Sequence, residues 1–247
     1  MKKSKQRLDL TLVDRGLAPS RERARALIMA GQVSVAGARI DKPGTSIPED
    51  ADVSVKGADH PWVSRGGLKL AHALETFDLD VTDKVALDIG ASTGGFTDVL
   101  LKNGARRVYA VDVGHGQLDW GLRNDERVVT LERTNARNLT KEHVPEAIDV
   151  VVCDASFIGL RTILPAGLRL AASGAVLVAL IKPQFEAGKD RVGKGGVVRD
   201  EAVHQEVCET IQGWLTALQE WTVVGLTESP VRGPAGNKEF LIVARHD

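Results

Sequence analysis

The sequence predicts an α/β protein in which a doubly wound, mostly parallel seven-stranded sheet follows a small N-terminal α+β domain. Three observations support this fold class. From about residue 68 onward, short aliphatic runs typical of buried strands alternate with amphipathic helical patterns. The last two of these runs lie close together, which favours an antiparallel pair at one edge of the sheet. The first 42 residues have a different pattern and carry ten Lys or Arg against four Asp or Glu.

The composition indicates a globular chain. Its 247 residues, 43% hydrophobic and 26% charged, suffice for one large domain and one small one. Cys153 and Cys208 are too few for a disulfide framework or a cysteine-rich metal site, and their surroundings predict buried thiols. The longest apolar run, residues 175–181, is far below the ~20 residues of a membrane helix, and no secretory signal is recognisable. We therefore expect a cytoplasmic protein that binds neither a membrane nor a metal.

The basic N-terminal segment has the pattern of a phosphate-binding surface. One helix is predicted over residues 7–17 and a second over 21–30, with Ser20 as the N-cap of the second. A short hairpin that turns at Gly37 follows, and residues 45–56 predict short strands that close the small domain. This head carries a charge of +6 and the remainder about −7, which favours a polyanionic partner for the head. A short basic start is also often only a solvated tail.

Positions 7–40 read RLDLTLVDRGLAPSRERARALIMAGQVSVAGARI and resemble the α-L RNA-binding motif shared by pseudouridine synthases and bacterial tyrosyl-tRNA synthetases. The leading Arg-Leu-Asp, the Ser-Arg that begins the second helix and the Gly-x-Val before the hairpin all match. The resemblance implies an RNA-binding domain over residues 1–59, followed by a linker at 60–66 and a larger domain at 67–247. The residues that we expect in RNA contact are Arg7, Arg21, Arg23, Arg25 and Arg39, with Arg65 in the linker.

The strands of the large domain are predicted from their apolar runs. A helix over about 68–77 precedes the first strand, and a longer helix over 203–218 precedes the final pair. In such a Rossmann-like, doubly wound sheet, ligands bind beyond the carboxyl ends of the strands, so chemistry is expected directly after each strand. The predicted strands are 85–89, 108–112, 128–131, 148–154, 175–181, 222–226 and 240–244.

The glycine-rich turn after the first strand, DIGASTGGFTD at 88–98, predicts an S-adenosylmethionine site. Its spacing differs from the G-x-G-x-x-G of dinucleotide enzymes, and a carboxylate at Asp88 suits an amine rather than a pyrophosphate. Asp112, 24 positions later, can accept hydrogen bonds from ribose hydroxyls. Asn135 and Ala136 are placed for adenine contacts, although an ordinary polar loop is an equal alternative there. The predicted cofactor-binding residues are Asp88, Gly90, Ala91, Ser92, Gly94, Gly95, Phe96, Asp112, Val113, Asn135, Ala136 and Asp154.

Four residues at strand ends or in the first helix predict the chemistry. Asp154 follows the fourth strand in Asp-Ala-Ser-Phe, which lacks the [DN]-P-P-[FY] typical of enzymes that methylate base nitrogens. Cys153 is expected to point into the sheet, which argues against a cytosine C5 nucleophile. Lys182 follows the fifth strand, Lys69 lies in the first helix, and Glu239 begins the last strand. A single lysine at a strand end is usually a solvated terminus, but these four side chains can converge on one site.

Five motifs carry a full-length resemblance: VSRGGLKL at 63–70, DIGASTGGFTD, CDASFI at 153–158, IKPQFE at 181–186 and GNKEFL at 236–241. With these motifs the large domain resembles FtsJ-like ribose 2′-O-methyltransferases, and the whole chain resembles the TlyA family of haemolysin A-like rRNA methyltransferases. The resemblance implies methylation of a cytidine ribose in ribosomal RNA, with ribosomal RNA or ribosomal subunits as partners. It implies a catalytic tetrad of Lys69, Asp154, Lys182 and Glu239.

A ribose 2′-hydroxyl is a weak nucleophile, so the enzyme has to align it and help remove its proton. We predict that Lys182 is the base or the group that orients the hydroxyl. Lys69 is predicted to favour the neutral form of Lys182 through its charge and to bind phosphate. Asp154 and Glu239 are predicted to fix the geometry of the two lysines, and the transfer requires no metal.

The glycine-rich loop at 186–200 carries Lys189, Arg191, Lys194 and Arg199 and is predicted to contact RNA as a mobile lid. A disordered surface loop is the alternative. A non-catalytic RNA-binding factor in ribosome assembly is the rival function, and a cytolysin is disfavoured. The sequence leaves open the modified nucleotide and the oligomeric state.

Overall fold

The computed structural model describes residues 5–15, 17–18, 20–48, 51–55, 60–233 and 235–247. The chain divides into two units, Met1–Pro61 and Trp62–Asp247. The predicted domain boundary after residue 59 adjoins a stretch, 56–59, that lies outside the described residues.

The N-terminal unit packs two helices against short strands. Its core consists of aliphatic side chains, among them Leu8, Leu12, Ile28 and Val33, which are at most 1% exposed. A two-stranded antiparallel sheet pairs β1 with β4, and a three-stranded sheet has the order β3–β2–β5. The elements are β1 (Lys5–Arg7), α1 (Leu8–Asp14), α2 (Arg21–Met29), β2 (Val33–Val35), β3 (Ala38–Ile40), β4 (Ser46–Pro48) and β5 (Val53–Val55).

The second predicted helix and the hairpin are confirmed, and Ser20 accepts a hydrogen bond from the backbone N–H of Arg23 as its N-cap. The first predicted helix is wrong at both ends, since it begins at Leu8 and ends at Asp14. Arg7 belongs instead to β1, because residues 5–7 pair with residues 46–48 nearly forty positions away. A local apolar pattern does not reveal such a distant partner.

The larger unit is a seven-stranded sheet with helices on both faces. The strand order is β11–β12–β10–β9–β6–β7–β8; β12 runs antiparallel to both of its neighbours, and every other pair is parallel. The predicted mostly parallel sheet with an antiparallel pair at one edge is therefore confirmed. The strands are β6 (Val85–Ile89), β7 (Arg107–Val111), β8 (Val128–Leu131), β9 (Ile148–Cys153), β10 (Ala171–Ile181), β11 (Trp221–Glu228) and β12 (Phe240–His246).

The helices of this unit connect and cover the strands. The predicted helices at 68–77 and 203–218 correspond to α3 and α8, which both end slightly earlier than predicted. Residues Lys189–Arg191 and Ala136–Asn138 form single 3₁₀ turns. The helices are α3 (Gly66–Thr76), α4 (Gly95–Lys102), α5 (Trp120–Arg123), α6 (Leu160–Leu168), α7 (Pro183–Glu186) and α8 (Glu201–Thr216).

Alternation along β6 distributes its side chains between two cores. Val85, Leu87 and Ile89 belong to the cluster that contains residues of α6 and α8, whereas Ala86 belongs to the cluster under α3 and α4. Asp88 lies on the same face of the strand as Ala86. It therefore faces α4, where the hydroxyl of Thr97 donates a hydrogen bond to it. The sequence pattern of one central strand thus determines which helix faces the glycine-rich turn.

The strand β10 is longer than predicted because it starts at Ala171 and contains a register shift between Ala171 and Val176. Gly174, in the irregular part, has φ +79°. The Ser-Gly pair interrupts the apolar run, so the sequence pattern shows only the regular part, 175–181.

The first prediction concerns the core beneath the sheet. Leu164 on α6 is fully buried, so Leu164→Ala should lower the free energy of unfolding of the larger unit by about 2–5 kcal/mol. All four tryptophans lie in that unit, so tryptophan fluorescence during urea unfolding reports on it alone. The control is Val224→Ala on β11, where the side chain is 49% exposed and a change under about 1 kcal/mol is expected. Equal losses in the two variants would contradict the assigned core.

Candidate active site

The glycine-rich turn after β6 is shaped for close approach. Gly90 has φ +83°, and a Cβ atom there would lie 2.9 Å from the Cα atom of Ala155 in the loop that follows β9. Gly94 has φ +94° and precedes α4, whose first helical residue is Gly95. A side chain at either Gly90 or Gly94 would both strain the backbone and collide with a neighbour. The turn therefore brings two strand ends together and leaves its own backbone accessible.

Asp88 lies beneath this turn and is fully buried. Its Oδ2 atom accepts a hydrogen bond of 2.7 Å from the hydroxyl of Thr97, while Oδ1 has no hydrogen-bond partner among the described residues. Burial raises the pKa of this carboxyl to about 7, against the opposing effect of the Thr97 hydrogen bond. A buried acceptor without a partner is unfavourable in the protein alone, and it fits a ligand that brings a donor.

Asp112 follows β7 and ties two loops together. Its Oδ2 accepts from the backbone N–H of Ser92 at 2.8 Å, and its Oδ1 accepts from that of Gly114 at 2.6 Å. Val113 beside it is 70% exposed. Each carboxylate oxygen can accept a further hydrogen bond, so Asp112 remains available to hydroxyl groups.

Asn135 caps the 3₁₀ turn Ala136–Asn138, because its side chain accepts from the backbone N–H of Arg137 at 3.1 Å. Ala136 is buried. Asn135 also accepts from the Arg137 guanidinium at 3.2 Å, as a locally capped polar loop does.

Four charged side chains converge at the carboxyl edge of the sheet. The Nζ atom of Lys69 lies 2.7 Å from Oε2 of Glu239 and 3.4 Å from Oδ2 of Asp154. The Nζ atom of Lys182 lies 2.6 Å from Oδ1 of Asp154. Asp154 therefore bridges the two lysines, and residues as far as 170 positions apart in the sequence form one network.

The strand directions explain this convergence. Asp154 and Lys182 follow the parallel strands β9 and β10, whereas Glu239 comes immediately before β12. Because β12 is antiparallel to β10, its amino end lies at the carboxyl end of β10, where Ile181 pairs with Phe240. Lys69, on α3, approaches the same edge from one face of the sheet.

The network is shielded from solvent. Lys69 and Lys182 are less than 10% exposed, and Glu239 is 2% exposed. A Cβ atom at Gly233 would lie 2.5 Å from Oε1 of Glu239, so the backbone of the preceding loop closes directly over this carboxylate. Burial of Lys69, Lys182 and Glu239 is tolerable because each has an oppositely charged partner, and Asp154 is only partly buried.

A cavity of about 590 Å³ joins the network to the glycine-rich turn. Its volume is in the range of ligand sites. All four residues of the network line it, as do six of the predicted cofactor-binding residues. Those six are Gly90, Ala91, Ser92, Gly95, Phe96 and Asp154. The walls do not include Asp88, Gly94, Asp112, Val113, Asn135 or Ala136.

The structure adds residues to which the sequence analysis gave no role. Ser156 accepts a hydrogen bond of 2.9 Å from Lys182, whose Nζ also donates to the backbone oxygen of Asp154 at 3.1 Å. Phe157 is 90% exposed, has φ +66°, and packs its ring 5.3 Å from that of Phe185. All three side chains line the cavity. They lie inside the motifs CDASFI and IKPQFE, but their roles depend on loop geometry that the sequence pattern does not show.

The predicted lid at 186–200 has defined structure. Gly193 and Val197 form an antiparallel bridge, and Gly195 and Gly196 line the cavity. The buried Asn237 fixes this part of the loop, since it donates to the carbonyl of Gly196 at 2.9 Å and accepts from the N–H of Val198 at 3.0 Å. Asn237, two residues before Glu239, thus holds the loop at 186–200 beside the four charged side chains.

The predicted RNA-binding residues of the larger unit are in different surroundings. Arg65 lines the cavity. Arg191 pairs with Glu206 at 2.6 Å and donates to the carbonyl of Ala187. Lys189 and Lys194 are exposed.

In the N-terminal unit, the buried Asp9 organises two of the predicted arginines. Its Oδ2 atom lies 2.9 Å from Arg7 and 3.0 Å from Arg21. The hydrogen bond from Arg7, assisted by Arg21, lowers the pKa of Asp9 to about 2 against the effect of burial. Both guanidinium groups remain about half exposed. Arg23, Arg25 and Arg39 are exposed as well.

Neither cysteine is available for chemistry. Cys153 and Cys208 are buried and unpaired, as predicted. Burial raises the pKa of the Cys153 thiol to about 12 and that of Cys208 to about 11. Within the described part of the chain, no cluster of three or more His, Cys, Asp or Glu side chains could hold a metal, and no helix is long and apolar enough to cross a membrane.

Comparison with known proteins gives consistent matches. Residues 62–246 match the FtsJ-like methyltransferases and residues 6–53 match the S4 domain. The chain is 49% identical over 243 residues to the "Putative rRNA methyltransferase YqxC" of Bacillus subtilis, and the match covers 98% of this chain and 86% of the relative. It is 48% identical over 242 residues to the 16S/23S rRNA (cytidine-2′-O)-methyltransferase TlyA of Mycobacterium tuberculosis, with 97% and 89% covered.

Solved structures agree. The "Putative hemolysin from Streptococcus thermophilus" superposes with a TM-score of 0.76 at 44% identity, and the match covers 98% of this chain and 88% of that one. The fibrillarin/Nop5p complex contains a chain with 18% identity and a TM-score of 0.54, covering 75% of this chain and 84% of that one, which shows a shared fold alone.

The second prediction concerns Asp88. Since its pKa is about 7 in the fold and about 4 in an unfolded chain, its neutral form is favoured in the folded state. This contribution to stability is complete below pH 4 and is lost as the pH rises through 7. The free energy of unfolding of the wild type, measured against that of Asp88→Asn, should therefore fall by a few kcal/mol (on the order of 1–4) between pH 4 and pH 8.

Urea unfolding followed by tryptophan fluorescence across this pH range measures the difference, because the asparagine side chain of the variant cannot ionise. Parallel curves for the two proteins would show that the carboxyl of Asp88 titrates normally.

Proposed function

We infer the reaction of this chain from its family, since it belongs to the TlyA family of FtsJ-like methyltransferases. It is a methyltransferase. We propose that it transfers a methyl group from S-adenosylmethionine to a ribose 2′-hydroxyl of ribosomal RNA. The observation that carries this proposal is the buried network in which Asp154 bridges Lys69 and Lys182, in one cavity with the glycine-rich turn.

The residues around the turn fit S-adenosylmethionine. The buried acceptor of Asp88 that lacks a partner, the bare backbone at Gly90 and the loop carboxylate of Asp112 would hold it. A bound S-adenosylmethionine supplies an electrophilic methyl group on a positively charged sulfur. We propose that Asn135, Ala136 and Val113 complete this site, although they lie outside the cavity wall.

We propose that Lys182 binds the substrate hydroxyl. Its Nζ atom donates hydrogen bonds to the backbone carbonyl of Asp154 and to the hydroxyl of Ser156, and it forms an ion pair of 2.6 Å with Oδ1 of Asp154. An ammonium group has three donors, so one donor of Lys182 is open to a substrate hydroxyl, and Oδ1 of Asp154, which has no hydrogen-bond partner among the described residues, is open to a hydroxyl proton. We propose that the ribose 2′-hydroxyl binds here, beside Lys182 and Ser156.

The transfer forms an oxygen–methyl bond and breaks a sulfur–methyl bond, and the hydroxyl proton has to leave. As an ammonium group, Lys182 can orient the hydroxyl, and the carboxylate of Asp154 can accept the hydroxyl proton. Lys69 contacts the other oxygen of Asp154 at 3.4 Å and is itself held by Glu239 at 2.7 Å. We propose that this chain of contacts fixes the direction of the Asp154 carboxylate.

Aromatic and basic groups supply the RNA contacts. The exposed ring of Phe157, supported by Phe185, is a surface on which a base can stack. The S4 domain presents the half-exposed Arg7 and Arg21 on the buried Asp9 for phosphate binding. We propose that further basic residues add to this contact, namely Arg23, Arg25, Arg39, Arg65, Lys189 and Lys194. Arg191 is proposed to contribute as well, although it already pairs with Glu206.

The relatives support a finer proposal for the substrate. Because the relative from Mycobacterium tuberculosis is named for cytidine 2′-O-methylation of 16S and 23S rRNA, we propose a cytidine in the ribosomal RNA of a ribosomal subunit. A site of action in the cytoplasm follows from that substrate.

The third prediction tests the reaction. Tritiated S-adenosylmethionine and unmodified ribosomal subunits should give labelled rRNA, which is then hydrolysed in alkali. Alkali cleaves through the 2′-oxyanion, so a 2′-O-methyl group protects its own linkage and the label should remain in dinucleotides. Label in mononucleotides would show base methylation, and absence of label would favour a non-catalytic RNA-binding factor.

The fourth prediction tests Lys182. Lys182→Met keeps the length of the buried side chain but removes its nitrogen, so kcat should fall by about 10²-fold or more while the Kd of S-adenosylmethionine stays within about threefold. The matched control is Lys84→Met, an exposed lysine at the opposite, amino end of β6, which should keep wild-type kcat. Full turnover by the Lys182 variant, with normal binding of cofactor and RNA, would exclude the role proposed for Lys182.

A further inference from the structure

A second cavity of about 260 Å³ adjoins the catalytic one. Arg232 and Ala235 belong to the walls of both cavities. The segment between Ala235 and Glu239 forms a partition, since Asn237 and Glu239 line the catalytic cavity. The second cavity is lined by Val197, Val198, Arg199, His204, Arg232, Ala235, Gly236 and Lys238.

The charges on this wall are all of one sign. Arg199, Arg232 and Lys238 contribute cations, and no carboxylate is part of the described lining. Lys238 forms ion pairs with Glu201 at 3.3 Å and with Glu228 at 3.8 Å.

Within the described part of the chain, neither Arg199 nor Arg232 forms an ion pair. Arg232 makes only a long 3.4 Å hydrogen bond to the carbonyl of Gly236. Two exposed arginines therefore line one concavity, and no carboxylate is part of its described lining.

Hydrogen bonds hold the backbone next to these arginines. His204, which is 5% exposed, contacts the carbonyl of Val198 at 3.0 Å from the floor of the cavity. Asn237 bonds Gly196 and Val198 from the other side of the partition. The position of Arg199 is thus set by buried contacts of its chain neighbour, and that of Arg232 by the loop that covers Glu239.

We propose that the second cavity binds a backbone phosphate of the RNA strand, at a nucleotide next to the one whose ribose enters the catalytic cavity. The inference rests on the proposed function, because it takes RNA as the substrate. A guanidinium group presents several N–H donors in a plane that matches phosphate oxygens. Because Arg232 belongs to both walls, a strand that places its ribose beside Lys182 meets this pair of arginines as it leaves the catalytic cavity.

The fifth prediction tests the site with Arg199→Gln, Arg232→Gln and the double variant in the full-length chain. Because the two arginines share one phosphate, loss of both should flatten the dependence of log Kobs for RNA on log salt by about 0.7, and the double variant should bind RNA about tenfold more weakly. Filter binding of ribosomal RNA between low and high salt gives the slope, and calorimetry gives the Kd of S-adenosylmethionine, which should stay unchanged.

Two controls separate charge from structure. Arg169→Gln removes an exposed arginine at the C-terminal end of α6, before the amino end of β10 and at the opposite edge of the sheet, and should leave both slope and affinity unchanged. Arg199→Lys with Arg232→Lys keeps the charges and should keep most of the salt slope, which a merely misfolded loop would not do.

An unchanged slope in the double glutamine variant, or an equal change in Arg169→Gln, would overturn the proposal. So would a result in which only the binding of inorganic phosphate, and not of RNA, depends on the two arginines. If the wild type transfers no methyl group to rRNA but its RNA affinity depends on them, the proposed reaction fails and the phosphate site stands. If methyl transfer occurs and the double variant binds RNA normally, the phosphate site alone fails.

Discussion

The carboxylate of Asp154 is the constraint on which the rest of the active site depends. One oxygen lies 2.6 Å from Lys182 and the other 3.4 Å from Lys69, so a single side chain neutralises two buried cations. Without it, two ammonium groups would share a site shielded from solvent, where Glu239 contacts only Lys69. The order of the strands therefore matters: β9 lies beside β10, and β12 returns antiparallel on the far side of β10. Any other arrangement would separate these partners.

Two aspartates show how partners determine the charge state of a carboxyl group. Asp9 and Asp88 are both fully buried, yet the pKa of Asp9 is lowered to about 2 and that of Asp88 is raised to about 7. Asp9 has two guanidinium groups, whereas Asp88 has one hydroxyl donor and an oxygen without a partner among the described residues. Asp9 is satisfied within its own unit and displays arginines to solvent. Asp88 keeps one oxygen without a hydrogen-bond partner among the described residues.

The sequence predicts the central strands well and the connections less well. The bounds of β6 and β8 are as predicted: β6 is a central, fully buried run, as expected of a strand covered on both faces, and β8 is a partly buried edge strand with a short apolar run of its own. The strand β1 and the bulged start of β10 are not predictable from local pattern, since the first depends on a partner near residue 47 and the second on an irregular Ser-Gly step. For the site, the strand-end rule indicates Asp154, Lys182 and Glu239 because each adjoins a strand.

The strand-end rule does not identify Phe157 or Asn237. Phe157 depends on a left-handed backbone, and Asn237 depends on contacts across loops. The cost of such residues in the free protein is informative. Phe157 combines φ +66° with 90% exposure of an aromatic ring, Asp88 has a buried oxygen without a partner among the described residues, and two arginines line a cavity whose described lining holds no carboxylate. The left-handed backbone of Phe157 and the buried oxygen of Asp88 are unfavourable by themselves, and both lie with the two arginines around the same edge of the sheet. A bound RNA strand and methyl donor would supply partners for these groups, with a base on the ring of Phe157, a ribose beside Lys182, the phosphate of the neighbouring nucleotide on the arginines, and the methyl donor at Asp88. We infer that these unsatisfied groups of the free protein mark where its ligands bind.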